Sequence, residues 1–106
     1  MKEMWKIKRV FYDNSGYVNY AGNNHITRRC RYICEMVYGK SALRNKYIHH
    51  INLIRDDDDL SNLLIVTMKE HMRLHKYLRD GDIDKYEALV NRLQEKQKKI
   101  ICKEVN

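Results

Sequence analysis

The spacing of apolar and polar residues predicts a chain that combines short strands with amphipathic helices. Near the N-terminus, the stretches Val10-Phe11-Tyr12 and Tyr17-Val18 flank the turn signal Asp13-Asn14-Ser15-Gly16. β-Branched and aromatic residues on both sides of such a turn are typical of a β-hairpin. We therefore expect a hairpin in this part of the chain.

The segment after the hairpin changes to a helical period. Its apolar residues fall at i, i+3, i+4 and i+7, at Cys30, Ile33, Cys34 and Val37. This spacing predicts a short amphipathic helix. We expect Thr27 to cap its N-terminus and Gly39 to end it.

The second half of the chain predicts two strands followed by a helix. The segments "KYIHHI" and "NLLIVT" are typical of short strands, and the polar loop "NLIRDDDDLS" joins them. The helix that follows has a capping box, Thr67-x-x-Glu70, and Gly81 is placed to end it.

A final helix is expected after Asp82, which would cap it. Its far end, "QEKQKK", is expected to be a solvated face. The apolar stripe of this helix comprises Tyr86, Leu89, Val90, Leu93, Ile100 and Ile101.

Together these elements predict an α+β fold in one domain over residues 1–106. An N-terminal hairpin and helix precede a strand–strand–helix finger at about 46–79 and a C-terminal helix at about 82–102. A hydrophobic content of 43% and a charged content of 33% favour a globular chain over a disordered one.

Cysteine usage and hydropathy indicate the compartment. The three cysteines include no CxxC pair, which suits a reducing environment and argues against a disulfide framework or a cysteine zinc finger. We expect Cys30 and Cys34 to be buried thiols, with metal ligation as the alternative. The sequence has no apolar run long enough to span a membrane, and its N-terminus does not resemble a signal peptide. We therefore expect a cytoplasmic protein, in the host cytoplasm if it is phage-encoded, with no membrane partner.

The positive charge is unevenly distributed along the chain. Residues 1–50 hold ten Lys/Arg against three acids, and residues 51–106 hold eleven against eleven, so the net +7 lies in the first half. Such polarity favours a polyanionic partner, most often nucleic acid, over a merely soluble basic protein.

Four of the five histidines lie between positions 49 and 75. His71 and His75 are one helical turn apart, within reach of one metal ion. His49 and His50 are neighbours on a strand, so their side chains point to opposite faces. One of that pair is expected to join the helical histidines as a ligand while the other faces elsewhere. Three protein ligands leave a coordination position open, as in catalytic metal sites.

The constellation "YIHHI…DLSNLLIVT…EHMRLH" resembles the HNH endonuclease family, whose ββα-metal finger carries these residue types at these spacings. The upstream "RYICEMVYGK" is similar to the helix that often precedes the finger in phage-type members. The resemblance covers about residues 17–76. It implies hydrolysis of DNA phosphodiester bonds by a metal-dependent nuclease, of homing, packaging or restriction type.

The resemblance also implies a role for each site residue. His49, His71 and His75 would bind one divalent ion, and His50 would be the general base that takes a proton from the attacking water. Asn62 would be structural, pinning the loop between the strands and so orienting His50. Imidazole ligands favour Zn²⁺, Ni²⁺, Mn²⁺ or Co²⁺, with Mg²⁺ as a further candidate.

Double-stranded DNA is the expected partner, and a second copy of the chain or a phage or host protein is a further candidate. The phosphate contacts are expected from basic residues of the first half, with Arg31 the best single candidate. These residues are Arg28, Arg29, Arg31, Lys40 and Arg44.

The loop departs from the family at Asn52-Leu53 and at Asp58-Asp59. We expect the acidic run Asp56 to Asp59 to be solvated and to point away from the DNA, rather than to form a second metal site.

Two other functions remain open from the sequence. One is a metal-stabilised DNA-binding module without catalysis, which would have no use for a base on the far face of the strand. The other is an RNA-cleaving or toxin-like nuclease, although nothing in the chain resembles an RNA-binding module.

Overall fold

The α+β architecture predicted from the sequence is confirmed. A computed structural model describes residues 6–105, with side chains described up to residue 100. Within that part of the chain, the elements are β1 (Arg9–Tyr12), β2 (Val18–Gly22), β3 (His25–Arg28), α1 (Arg29–Tyr38), β4 (Tyr47–His50), β5 (Leu63–Val66), α2 (Met68–Asp80) and α3 (Ile83–Val105).

The N-terminal hairpin is present but extends into a three-stranded antiparallel sheet of order β1-β2-β3. The Asp13 carboxylate accepts hydrogen bonds from the Ser15 and Tyr17 backbone N–H groups and so shapes the first turn. The third strand was not predicted. It pairs with β2 through a two-residue connection, in which Asn24 has a positive φ of 52°. Asparagine tolerates this left-handed backbone better than most residues, which makes so tight a turn accessible.

Helix α1 begins later than expected. Thr27 pairs with Tyr20 inside β3, and the extended Arg28 stands at the N-cap position, so the prediction of Thr27 as the cap was wrong. The predicted end is confirmed, because Gly39 has a φ of 90° and donates its N–H to the Glu35 carbonyl. The helix buries Cys30, Cys34 and Tyr38.

The β4–β5 hairpin separates two hydrophobic clusters. All four residues of β5 are buried, because its two faces are both covered. Leu64 and Val66 pack with α2 and α3, whereas Leu63 and Ile65 pack with α1. His49 pairs with Leu64 and His50 pairs with Leu63, so the two histidines face different clusters.

Both C-terminal helices begin where predicted and α2 also ends there, whereas α3 continues to Val105, beyond the predicted end at about 102. The Thr67 hydroxyl and the Glu70 side chain form the capping box of α2, and Gly81 ends it in a left-handed conformation. Helix α3 begins after Asp82, whose carbonyl accepts from the Tyr86 N–H. Of its predicted stripe, Tyr86, Leu89, Val90 and Leu93 are buried, Ile100 packs against the α1 cluster, and the side chain of Ile101 lies outside the described residues.

The expectation of a solvated far end of α3 was wrong for Gln97. This side chain is only 9% exposed and joins three elements. Its Oε1 accepts from the Ile65 N–H, and its Nε2 donates to the Tyr38 hydroxyl and the Leu63 carbonyl. A buried amide whose donors and acceptor are all satisfied fixes the position of α3 against the β-hairpin. In the described part of the chain, no helix is both long and apolar enough to cross a membrane.

Candidate active site

Three histidines from β4 and α2 converge at one point. His49 is buried at 3% exposure, whereas His71 and His75 are partly exposed. One ring nitrogen from each lies within 4.8 Å of the others, and the Nε2 atoms of His71 and His75 are 3.0 Å apart. This is the set predicted from the sequence, and β4 supplies His49 rather than His50 to it.

The donor set fits a divalent ion. Two ligands of a tetrahedral zinc ion, each at about 2.0–2.1 Å, lie roughly 3.3 Å apart, close to the separation of the two Nε2 atoms. Tyr47 stacks on the His71 ring, with centroids 5.6 Å apart and planes 13° from parallel, and so restricts its rotation. The helical pair has the i, i+4 spacing that places both rings on one side of α2.

Tyr86 on α3 determines which nitrogen His49 can offer. The Tyr86 hydroxyl donates its proton to the Ile51 carbonyl at 2.8 Å. It therefore accepts from His49 Nε2, also at 2.8 Å, and that nitrogen carries the proton. Nδ1 of His49 keeps its lone pair and is the nitrogen available to a metal. A second hydrogen bond of this kind orients most metal-binding histidines.

Burial favours the neutral form of His49 and His71, which is the form that metal binding needs. It lowers the pKa of His49 to about 4, and the neighbouring His75, His71 and His50 add to the effect. Burial also lowers the pKa of His71, with a further contribution from His75. A neutral imidazole presents a free lone pair, so the cluster is ready to bind a cation near neutral pH.

His50 lies on the opposite face of β4 and has different partners. It is 5% exposed, and its Nε2 is 2.7 Å from Asp58 Oδ1. The other carboxylate oxygen of Asp58 accepts from Arg29 Nε at 2.9 Å. Asp58 is itself only 8% exposed, so the expectation that the whole run Asp56 to Asp59 is solvated was wrong at this position. Arg29 supplies an opposite charge that offsets part of the cost of burying the carboxylate.

Asn62 is the residue predicted to pin the loop between the strands. It closes a short 3₁₀ turn before β5 and is 9% exposed. Its Oδ1 accepts from the Asn52 N–H, and its Nδ2 donates to Asn52 Oδ1 and the Asp57 carbonyl. The amide thereby ties both ends of the loop between β4 and β5 together, directly after His50.

A second group of candidate ligand atoms comprises Cys30, His50 and Asp58, all buried and within 4.8 Å of one another. Burial, with the charge of Asp58, raises the pKa of Cys30 to about 11. The thiol is therefore protonated near neutral pH, and the Asp58 carboxylate is already bound to Arg29. Cys30 and Cys34 are buried thiols, as expected from the apolar stripe of α1.

An open cleft of about 550 Å³ leads to the site. His49, His50, His71 and His75 line it together with Tyr17, Arg55 and Arg79. A neighbouring cavity of about 430 Å³ shares Tyr17 and His71 with it. Arg55 and Arg79 were not identified from the sequence, because the second half of the chain is neutral as a whole and the local charge depends on folding.

The basic residues predicted to contact DNA divide into two groups. Arg31 donates to the Leu43 and Lys46 carbonyls at 2.7 and 3.1 Å, and Arg29 is bound to Asp58 and to the Asp56 carbonyl. These contacts orient both side chains within the fold, and Arg31 also lines the second cavity, so their role as phosphate contacts stays a prediction. Arg28 is half-exposed over the Tyr17 ring and lines the second cavity. Lys40 and Arg44 are exposed near the short turn that precedes β4.

The model of the HNH endonuclease family matches residues 30–73, a segment that runs from α1 to the first part of α2. The resemblance inferred from the sequence is thereby confirmed over this segment, which contains His49, His50, Asn62 and His71. Searches of curated proteins and of solved structures found no match. Because HNH endonucleases are nucleases, the match supports an enzyme of the hydrolase kind, and members of this family typically use a divalent metal.

Proposed function

We propose that the protein is a metal-dependent endonuclease that hydrolyses phosphodiester bonds in double-stranded DNA. The proposal rests mainly on the different surroundings of the two neighbouring histidines of β4. His49 joins two helical histidines in a cluster suited to a cation, whereas His50 is kept apart from that cluster and bound to a carboxylate, yet lines the same cleft.

In this proposal His50 is the general base. An imidazole is the side chain best suited to accept a proton from water near neutral pH. A divalent ion held by His49, His71 and His75 would supply charge stabilisation for the phosphoryl oxygens and the departing 3′ oxygen. Asn62 keeps the loop that follows His50 in place, and Tyr86 orients His49.

The charge around the cleft favours a phosphodiester backbone as substrate. Arg55 and Arg79 line one cavity, and Arg28 lines the adjoining one, so basic groups flank the histidines on both sides. Such an arrangement neutralises phosphates without selecting a base, which supports contact with a nucleic-acid backbone. Imidazole ligands favour Zn²⁺, Ni²⁺, Co²⁺ or Mn²⁺ over Mg²⁺.

The proposal is tested with supercoiled plasmid and the purified, metal-stripped protein. Cleavage should require an added divalent ion, should stop on chelation, and should be lost in His71→Ala together with metal binding. Nicked or linear plasmid would also distinguish one-strand from two-strand cleavage. A protein that binds Zn²⁺ and DNA but cuts with none of the ions would instead be a metal-stabilised binding module, and preferential cleavage of RNA would identify a ribonuclease.

A further inference from the structure

The loop between β4 and β5 contains one carboxylate that behaves unlike its neighbours. Asp56, Asp57 and Asp59 are exposed or partly exposed, whereas the Asp58 side chain is only 4% exposed. Asp58 Oδ1 contacts His50 Nε2 at 2.7 Å, and its Oδ2 contacts Arg29 Nε at 2.9 Å. A buried carboxylate with two such short contacts is fixed in orientation, because turning it away would break its bond to the buried His50 and its bond to the partly buried Arg29.

The identity of the donors determines where the protons lie. The Arg29 guanidinium has donors only, so Asp58 accepts from it as a carboxylate. The same carboxylate therefore accepts from His50 as well, and Nε2 of His50 carries a proton. In the neutral ring the lone pair is then on Nδ1, which is the nitrogen left to receive a proton from water.

We propose that Asp58 is a positioning residue for the His50 general base, and that Arg29 at the start of α1 positions Asp58. This inference rests on the proposed nuclease function. Asp58 fixes the tautomer and the orientation of the His50 ring, and it stabilises the imidazolium formed when His50 takes the proton. The segment before the finger thus contributes to catalysis through Arg29, besides packing against β5.

Replacing a carboxylate that is bound to a catalytic imidazole by an amide has a known effect on turnover. In serine proteases, replacing the triad aspartate by asparagine keeps the geometry but imposes the wrong tautomer, and turnover falls about 10⁴-fold. The same substitution is informative here because of Arg29. An amide at position 58 must present its oxygen to the guanidinium, so its NH₂ group faces Nε2 of His50 and forces the proton onto Nδ1.

A purely structural role for Asp58 makes a different prediction. In that case the ion pair between Asp58 and Arg29 would stabilise the fold without affecting which nitrogen of His50 is protonated. Asp58→Asn would then lower stability and leave the tautomer of His50 and the turnover of the folded enzyme unchanged.

The test combines nitrogen NMR with steady-state kinetics on the full-length, metal-loaded protein. Long-range ¹H–¹⁵N spectra at about pH 8, with the His50 signals assigned by comparison with His50→Gln, should show an Nε2–H tautomer in the wild-type protein. Asp58→Asn should shift it to Nδ1–H and lower kcat about 10²-fold or more, with KM and Zn²⁺ affinity within about twofold. Asp58→Glu, which keeps an acceptor-only carboxylate, should restore the Nε2–H tautomer and part of the turnover.

Asp56→Asn is the matched control, because Asp56 is an exposed member of the same loop and its side chain contacts Tyr12 instead of His50. It should match the wild type in both measurements. A wild-type His50 protonated on Nδ1 would overturn the inference without any variant, and so would an Asp58→Asn protein whose tautomer or kcat is unchanged. A wild-type protein that cleaves no nucleic acid would refute the proposed function, and the tautomer comparison would still decide whether Asp58 positions His50.

Discussion

The hydroxyl of Tyr86 links the final helix to the metal cluster, and Tyr86→Phe removes it while keeping the ring. The ring is 7% exposed and packs in the α2–α3 cluster, so phenylalanine preserves the packing. The substitution leaves the His49 Nε2–H and the Ile51 carbonyl without their shared partner. Leaving buried polar groups unsatisfied costs about 1–3 kcal/mol, which is the expected loss of stability for the metal-free protein.

Metal affinity should fall as well, because the His49 ring loses the bond that selects its tautomer. Removing an outer partner of a ligating histidine typically weakens metal binding about 10–100-fold. A tenfold change in affinity corresponds to about 1.4 kcal/mol, so the metal-saturated protein should lose about 1.4–2.7 kcal/mol more stability than the metal-free protein. This excess separates an effect on the site from a general loss of packing.

Urea unfolding of the wild type and of Tyr86→Phe is measured with and without saturating Zn²⁺. Zn²⁺ affinity is measured by competition with a chromophoric chelator. Tyr77→Phe is the control, since Tyr77 also packs against the same cluster from α2. It should leave Zn²⁺ affinity unchanged. If Tyr86→Phe is destabilised equally with and without metal and keeps the wild-type Zn²⁺ affinity, Tyr86 does not orient His49.

Two further predictions concern pH and DNA. Burial lowers the pKa of His49 to about 4. As pH falls, His49 is therefore protonated at a higher pH in the unfolded chain than in the folded protein. The free energy of unfolding of the metal-free protein should fall by about 3 kcal/mol between pH 6.5 and 4. His49→Gln should flatten that dependence in urea titrations, and an unchanged dependence would contradict the assignment. Arg79→Ala should weaken DNA binding and reduce its salt slope by about one unit. Lys98→Ala should do much less, since Lys98 is paired with Glu95, and a larger effect there would place DNA on the other side of the molecule.

Local sequence signals were sufficient for much of the fold. The capping box at Thr67 and Glu70 and the left-handed Gly81 depend on residues within a few positions, so the boundaries of α2 were predictable. The separation of His49 from His50 follows from the two-residue period of a strand, which the pairing of β4 with β5 preserves. The two asparagines at positions 23 and 24 are a turn signal in the sequence, but the third strand that follows them was not predicted.

The features that could not be predicted depend on contacts between distant segments. Asp58 looked like part of a solvated acidic run, and its burial depends on Arg29, which lies 29 positions earlier. Gln97 lies in a lysine-rich stretch, and its burial depends on Tyr38 and β5. Arg79 lies near the cleft because one turn of α2 separates it from His75. Composition and periodicity carry no information on such pairings.

In the proposed mechanism, metal binding and base catalysis belong to different histidines on one strand. The most direct test measures Zn²⁺ stoichiometry, DNA affinity and plasmid cleavage of His50→Ala beside His49→Ala. His50→Ala should keep one bound ion and wild-type DNA affinity but cleave about 10²–10⁴-fold more slowly, whereas His49→Ala should lose the ion. A His50→Ala protein without bound metal, beside a His49→Ala protein that retains it, would reverse the roles proposed for the two histidines.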